Sequence, residues 1–252
     1  PIKEKFLNKY KYSHPRIIKI VSVSKAVEAI FKNIITDKER LVTIYDAVDV
    51  NEFASKTNQN LLHKEYNLEP NVKIVGNIAG LTDQKDIYTF IDTAKKILET
   101  KPAALHVKFI VIGDGELKND LSAYIKALEL EDSVFFTGFR NNVSDLLPEL
   151  DVLLMTSISE GLPLTIYEAF ASKVPVVSTK AGGIAEVVIE NKTGFVTELK
   201  DSKSLAEKVL KLLSNPELSK EIATSAFEIV KKNHDLKVMK ENYYEFYKTL
   251  IK

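Results

Sequence analysis

The chain has no cysteine among its 252 residues. That excludes a disulfide framework and any thiolate metal site, and it fits a reducing compartment. Net charge is missing too, because 35 basic residues balance 35 acidic ones. No global field therefore draws the chain toward nucleic acid or an acidic membrane, although local basic patches remain. No apolar run reaches membrane-spanning length. The basic start, P-I-K-E-K-F-L-N-K-Y-K-Y, lacks the apolar centre of a signal peptide. His14, His63, His106 and His234 show no metal-ligand spacing. The dinucleotide fingerprint G-x-G-x-x-G is absent, since Gly113 and Gly115 lack a third glycine, and that argues against NAD. There is no internal repeat or low-complexity segment. The first residue is not methionine and the pattern opens midway, which predicts a piece of a longer protein.

What is present is an ordinary globular composition, 45% apolar and 28% charged. Residues 1–16 are basic and aromatic, without a clear period. Ile17 to Val23 is β-branched and predicts a strand, and Ser24 can cap a helix over Lys25 to Ile35. A short strand and turn follow, and the polar run Asn51 to Asn60 is expected to be a hinge. From Val72 onward strands and helices alternate. The expected strands are Val72–Ile78, His106–Ile112, Val134–Thr137, Asp151–Met155, Val174–Ser178 and Gly194–Thr197. The expected helices are Asp86–Thr100, Leu117–Leu130, a brief Asn142–Leu147, Ser202–Leu213, Pro216–Asn233 and Leu236–Ile251. Near-continuous apolar strands between amphipathic helices predict an α/β protein with a parallel sheet covered on both faces. Ligands of such sheets bind beyond the carboxyl ends of the strands, and each motif below follows a strand.

The central stretch runs from Ser159 to Glu186: S-E-G-L-P-L-T-I-Y-E-A-F-A-S-K-V-P-V-V-S-T-K-A-G-G-I-A-E. Gly161 lets the loop tighten, and Pro163 suits the first turn of a helix. Free backbone N–H groups and the positive end of a helix dipole collect near Leu162 to Thr165, a ready anion site. Glu160 and Glu168 flank it. Carboxylates there suit sugar hydroxyls rather than phosphate. The local reading is a pocket for a molecule with both phosphate and hydroxyls. Alone, a strand, a glycine-containing loop and a pair of surface glutamates would be commonplace in any α/β protein.

The longer string S-E-G-x-P-x-x-x-x-E-A-x-A-x-x-x-P-V-V, followed by G-G-x-x-E, resembles the nucleotide-sugar site of retaining GT-B glycosyltransferases of the large group 1 family. Members include bacterial sucrose-, lipid- and polysaccharide-synthesising enzymes. The resemblance implies a Rossmann-like doubly wound parallel sheet, the C-terminal half of a GT-B fold. It divides the chain into 1–50, a remnant of the acceptor-side domain with its linker; 51–234, the donor-binding domain; and 235–252, a helix crossing back to the N-terminal domain. Glu168 would hold ribose hydroxyls and Glu160 the transferred sugar. Gly161, Leu162, Pro163 and Thr165 would meet phosphate and sugar oxygens, and Lys85 would clamp the diphosphate. Lys85 and Glu160 are the implied catalytic residues. The family usually places arginine five residues before that lysine; here the position is Gly80. Arg140, in G-F-R-N-N, resembles the segment near the nucleotide base, with Gly138 and Phe139. G-D-G-E at Gly113 is read as a tight turn, and Glu186 as a helix N-terminal charge rather than a ligand. The family linker Y-N-G-V-D appears as Tyr45-Asp46-Ala47-Val48-Asp49, so its turn is expected to differ in shape.

The function implied is transfer of a hexosyl group from a UDP-, GDP- or ADP-linked sugar to an acceptor hydroxyl with retained configuration. Neither metal nor cofactor is implied, since the nucleotide sugar is a substrate. The acceptor, a glycan or lipid-linked glycan, would bind through an N-terminal domain or partner chain outside these residues, leaving this chain alone with little or no activity. The expected location is cytoplasmic, peripheral at the inner membrane face. Uncovered apolar surface at Ile17–Ile35 and Leu236–Ile251 predicts self-association. The alternative is a non-catalytic nucleotide-binding or partner subunit of a split glycosyltransferase.

Overall fold

The structure is a computed structural model that describes residues 6–251, with side chains from residue 9. Residues 1–5 of the expected N-terminal remnant, and Lys252, lie outside the described residues.

The described residues open with helix α1 (Phe6–Tyr12), where no period was legible. Strand β1 (Ile20–Ser22), helix α2 (Lys25–Lys32) and strand β2 (Leu41–Thr43) then form a small parallel β-α-β unit. Ser24 caps α2 by accepting from the Val27 N–H, as its position before an apolar period implies. Phe31, Ile34 and Ile35 make a small core there, while Ile18 and Ile30 stay exposed.

Helix α3 (Val50–Ala54) occupies the start of the expected polar hinge. Asp49 creates it by accepting from the Asn51 and Glu52 N–H groups, and Val50 and Phe53 are buried. Helix α4 (Leu61–Glu65) follows at the far end of the same run. Ala47 does not adopt a left-handed conformation, so the turn takes a shape that alanine tolerates.

The main body is a six-stranded parallel sheet of β3 (Lys73–Ile78), β4 (Val107–Ile112), β5 (Val134–Gly138), β6 (Val152–Met155), β7 (Val176–Thr179) and β8 (Gly194–Thr197). Their spatial order is β5-β4-β3-β6-β7-β8. The chain thus starts in the middle, winds outward to β5, then crosses back to β6 and winds the other way. Helices α5 (Ile87–Thr100), α6 (Lys118–Ala127) and α9 (Ser202–Leu213) join one apolar cluster with Val75, Phe109 and Leu154. Helices α8 (Leu164–Ala171) and α10 (Pro216–Asn233) join the other with Ile74, Ile110 and Leu153. Neighbouring residues on one strand enter opposite clusters, as a strand's two-residue period requires. A short α7 (Val143–Leu146) precedes β6, and α11 (Leu236–Lys248) ends the chain with no buried residue.

The reversal of winding lies between β3 and β6. The crevice beyond the carboxyl ends of those strands is where a sheet of this topology leaves room for a ligand, because the following loops diverge there.

Candidate functional site

The loop after β3 carries Gly80 and Lys85, and the loop after β6 carries Glu160 and Gly161. They face each other across the crevice. Lys85 Nζ donates to Glu160 Oε1 at 2.6 Å, and both side chains are largely shielded from water. The Thr156 hydroxyl braces the Lys85 loop by donating to the Lys85 and Asp86 carbonyls. The two residues expected to be catalytic are therefore an ion pair, each holding the other.

Beside this pair opens a cleft of ≈ 430 Å³, bounded by Gly80, Lys85, Asp114, Phe139, Arg140 and Thr165 among others. Four expected site residues, Gly80, Lys85, Arg140 and Thr165, share its walls. Three chain reversals bring them there, after β3, after β5 and at the start of α8. Another cleft, of ≈ 410 Å³, includes Lys73, Asp151 and Lys173, at the opposite ends of the strands from these motifs.

Pro163 stands at the N-cap of α8 with φ −73°, and α8 has neither a capping side chain nor an acidic residue in its first turn. Its first N–H groups remain for an anion, and Thr165 places that helix start on the cleft wall. Leu162 is a core residue, so only its backbone is open to a ligand role. Glu168 lies one turn beyond Thr165, half-buried and outside the cleft wall. Burial raises its pKa above the ordinary carboxylate range, and Glu52 on α3 adds to the rise.

Arg140 is held at the rim by the Glu65 carboxylate of α4, and its Nε has no partner. Phe139 beside it is 81% exposed, an aromatic face at the lip of the cleft. Glu65 and Glu52 escaped the sequence reading. Their only signal is ordinary surface charge, and their partners lie 75 and more than 100 residues away.

The glycines of the G-G-x-x-E segment pack tightly against the loop that carries Glu160 and Gly161. A Cβ on Gly182, whose φ is +56°, would lie 1.8 Å from the Glu160 carbonyl oxygen, and one on Gly183 would lie 2.5 Å from that of Gly161. The G-D-G turn is equally tight: a Gly113 Cβ would meet the Ala79 oxygen at 1.9 Å. At Gly80 the surroundings are open. Its Cβ would meet nothing nearer than 3.8 Å, and its φ is outside the left-handed range. Glu186 does sit at a helix N-terminus, though at that of α2 rather than of a helix it begins.

Among the described residues no group of three or more histidines, aspartates or glutamates is placed to hold a metal ion. No helix among them is long and apolar enough to cross a membrane.

A six-stranded sheet wound both ways from its middle, with charged groups gathered at its switch point, defines a doubly wound α/β protein. The chain belongs to the family described as glycosyl transferases group 1, whose model matches residues 58–229. It is 30% identical over 217 residues to N-acetyl-alpha-D-glucosaminyl L-malate synthase of Bacillus anthracis, covering 83% of this chain and 56% of that protein. It is likewise 30% identical over 220 residues to UDP-Gal:alpha-D-GlcNAc-diphosphoundecaprenol alpha-1,3-galactosyltransferase of Escherichia coli, again with 83% and 56% coverage. The chain thus spans little more than half the length of these curated relatives. The crystal structure of Anabaena HepE in complex with UDP and glucose superposes with a TM-score of 0.82 at 26% identity, covering 92% of this chain and 63% of that one. A glycosyltransferase from Rickettsia africae shares the fold at a TM-score of 0.86 and 24% identity, covering 98% and 68%. The fold is that of GT-B glycosyltransferases.

Proposed function

We propose that this chain is the donor-binding part of a retaining glycosyltransferase that moves a hexosyl group from a nucleotide-diphosphate sugar to an acceptor hydroxyl. The observation that carries the reading is the convergence of Lys85, Arg140 and the uncapped start of α8 on one cleft at the sheet's switch point. Two cations and a helix N-terminus complement a diphosphate, whose charge grows as the sugar–phosphate bond breaks. Lys85 leaves Glu160 for the phosphate, and Glu160 turns to the sugar hydroxyls. Glu168 accepts from the ribose hydroxyls; its half-buried carboxylate gains hydrogen-bond donors there, which offsets the desolvation that raises its pKa. Phe139, exposed at the lip of the cleft, forms the base end. Charge neutralisation by these groups takes the role that a metal fills elsewhere.

HepE's complex with UDP and glucose favours a UDP-linked donor. The diphosphoundecaprenol relative favours a lipid-linked glycan acceptor and a peripheral site at the inner membrane face, within envelope or polysaccharide synthesis. Acceptor contacts are assigned to an N-terminal domain or partner chain, so this chain alone turns over little. Gly80, which leaves the diphosphate clamp one cation short, favours a second reading as a non-catalytic subunit. Titration of UDP into wild type and Arg140→Ala tests the assignment. A loss of roughly tenfold in affinity is expected for one charge-assisted contact; unchanged affinity in a folded variant would remove Arg140 from the clamp.

A further inference from the structure

Glu186 joins three separate parts of the chain through one carboxylate. Its Oε2 accepts from the Lys25 N–H at 2.9 Å and the Tyr45 hydroxyl at 2.7 Å, and its Oε1 accepts from the Ala26 N–H at 2.8 Å. Lys25 and Ala26 begin α2, in the small β-α-β unit. Tyr45 lies on the segment leading from that unit to the main sheet. Glu186 itself ends the turn after Gly182 and Gly183, on the main sheet's side.

The other face of this knot is the donor loop. The Gly183 N–H donates to the Gly161 carbonyl at 3.0 Å. The Ser24 hydroxyl donates to the same carbonyl, also at 3.0 Å. The Gly161 carbonyl is therefore pinned between the residue that precedes α2 and the segment that holds Glu186. The packing leaves no slack, because a Cβ on Gly183 would also lie 2.7 Å from Ser24 Cβ. Two backbone N–H groups at a helix start, both given to one carboxylate, make a strong junction: the acceptor is charged and the helix dipole favours it. Loosening Glu186 frees α2 and Ser24, and with Ser24 one of the two donors that hold the loop carrying Glu160.

We propose that Glu186 is a positioning residue: it fixes the Glu160–Pro163 loop against the β1–α2–β2 unit, so that the order of the donor loop depends on the position of that unit. This rests on the donor-site reading above for its functional consequence, but its structural content stands apart from it. Glu186 is not on the cleft wall. Its effect passes through Ser24 and Gly183.

The test combines amide hydrogen exchange with UDP titration on wild type, Glu186→Ala and Glu186→Gln. For Glu186→Ala, exchange is expected to quicken about tenfold or more both at residues 24–28 and at residues 159–165, with β3 and β4 unchanged, since a lost charge-assisted bond lowers local opening energy by that order. UDP affinity is expected to fall with it. Glu186→Gln keeps one acceptor oxygen and the side-chain volume, and is expected to recover part of the protection in both segments. Quickening confined to 24–28, with 159–165 and UDP affinity unchanged, would overturn the proposal and leave Glu186 as a cap of α2 only. If neither wild type nor Gly80→Arg binds any donor, the donor-site reading falls, and protection at 159–165 alone then decides the role of Glu186.

Discussion

Gly80→Arg restores a cation to a position where the structure has space for one. A side chain there starts with ordinary contacts only, 3.8 Å to the Asp114 carbonyl oxygen and 3.9 Å to the Thr82 methyl. The surrounding turn holds itself by backbone bonds, Leu81 N–H to the Asp114 carbonyl and Thr82 N–H to the Gly80 carbonyl, which the substitution leaves in place. The new guanidinium enters the cleft that Lys85 and Arg140 line. Charge-assisted hydrogen bonds to phosphate contribute about 1.5–3 kcal/mol each. At 1.4 kcal/mol per decade, that corresponds to roughly tenfold to a hundredfold tighter binding of UDP. Crowding three cations in an empty cleft opposes folding, but Glu160 and Asp114 lie beside them. Replacing glycine also stiffens the unfolded chain, which contributes about 0.4–1 kcal/mol in the other direction. Apo stability should therefore change little. Calorimetric titration of UDP, with urea unfolding as a control and Gly80→Lys as comparison, reads the effect. Arginine should gain more than lysine, because its fork matches two phosphate oxygens. A folded Gly80→Arg protein with unchanged UDP affinity would refute the placement of the diphosphate in this cleft.

Glu168→Gln should stabilise the ligand-free protein at neutral pH while weakening donor binding. The carboxyl's raised pKa means that the folded state holds its proton more tightly than the unfolded state, so its contribution to stability falls as pH rises through that range. The gain over wild type should vanish in acid, as urea midpoints at several pH values would show; an equal gain at all pH values would contradict it. Glu149→Ala should be severe, because the buried carboxylate accepts from the Leu62 and His63 N–H groups and pairs with His63 Nδ1 at 2.7 Å. A loss of roughly 3 kcal/mol in urea unfolding is expected for stripping one side of a buried pair, and a loss near zero would contradict the assignment. His234, stacked on Tyr167 at 4.4 Å between centroids, is held by burial at a pKa of about 4 against the ordinary 6.5. Stability from this group is present above 6.5 and is lost as pH falls toward 4. His234→Phe should lose less stability than wild type over that interval, and an identical acid limb would show that other groups set it.

The sheet was legible because its strands are buried on both faces. Runs such as Val107–Ile112, broken only by Lys108, read as near-continuous apolar segments, and the helices between them carry clear apolar stripes. The small helices α3 and α4 were not legible, whereas the brief α7 was. α4 has five residues, one buried leucine, and a cap supplied by Glu149, 87 positions away. α3 lies in a polar run, and only Asp49 before it marks a helix start. The motif residues were legible through the family pattern, but their mutual state was not. The pairing of Lys85 with Glu160 and the holding of Arg140 by Glu65 each join residues 75 positions apart, and no local period encodes such contacts. Glu186 shows the same limit. Its role as a helix-terminal charge could be read, but the helix it serves precedes it by 160 residues.

The proposed function requires that the crevice between β3 and β6 bind a nucleotide-diphosphate sugar. Calorimetric titration of this chain with UDP-, GDP- and ADP-sugars, repeated with Glu168→Ala, tests it most directly. Binding to one base class, with UDP favoured, is expected, together with loss of that binding in the variant. Equal binding by the variant, or no binding of any donor both by the folded wild type and by Gly80→Arg, would contradict it.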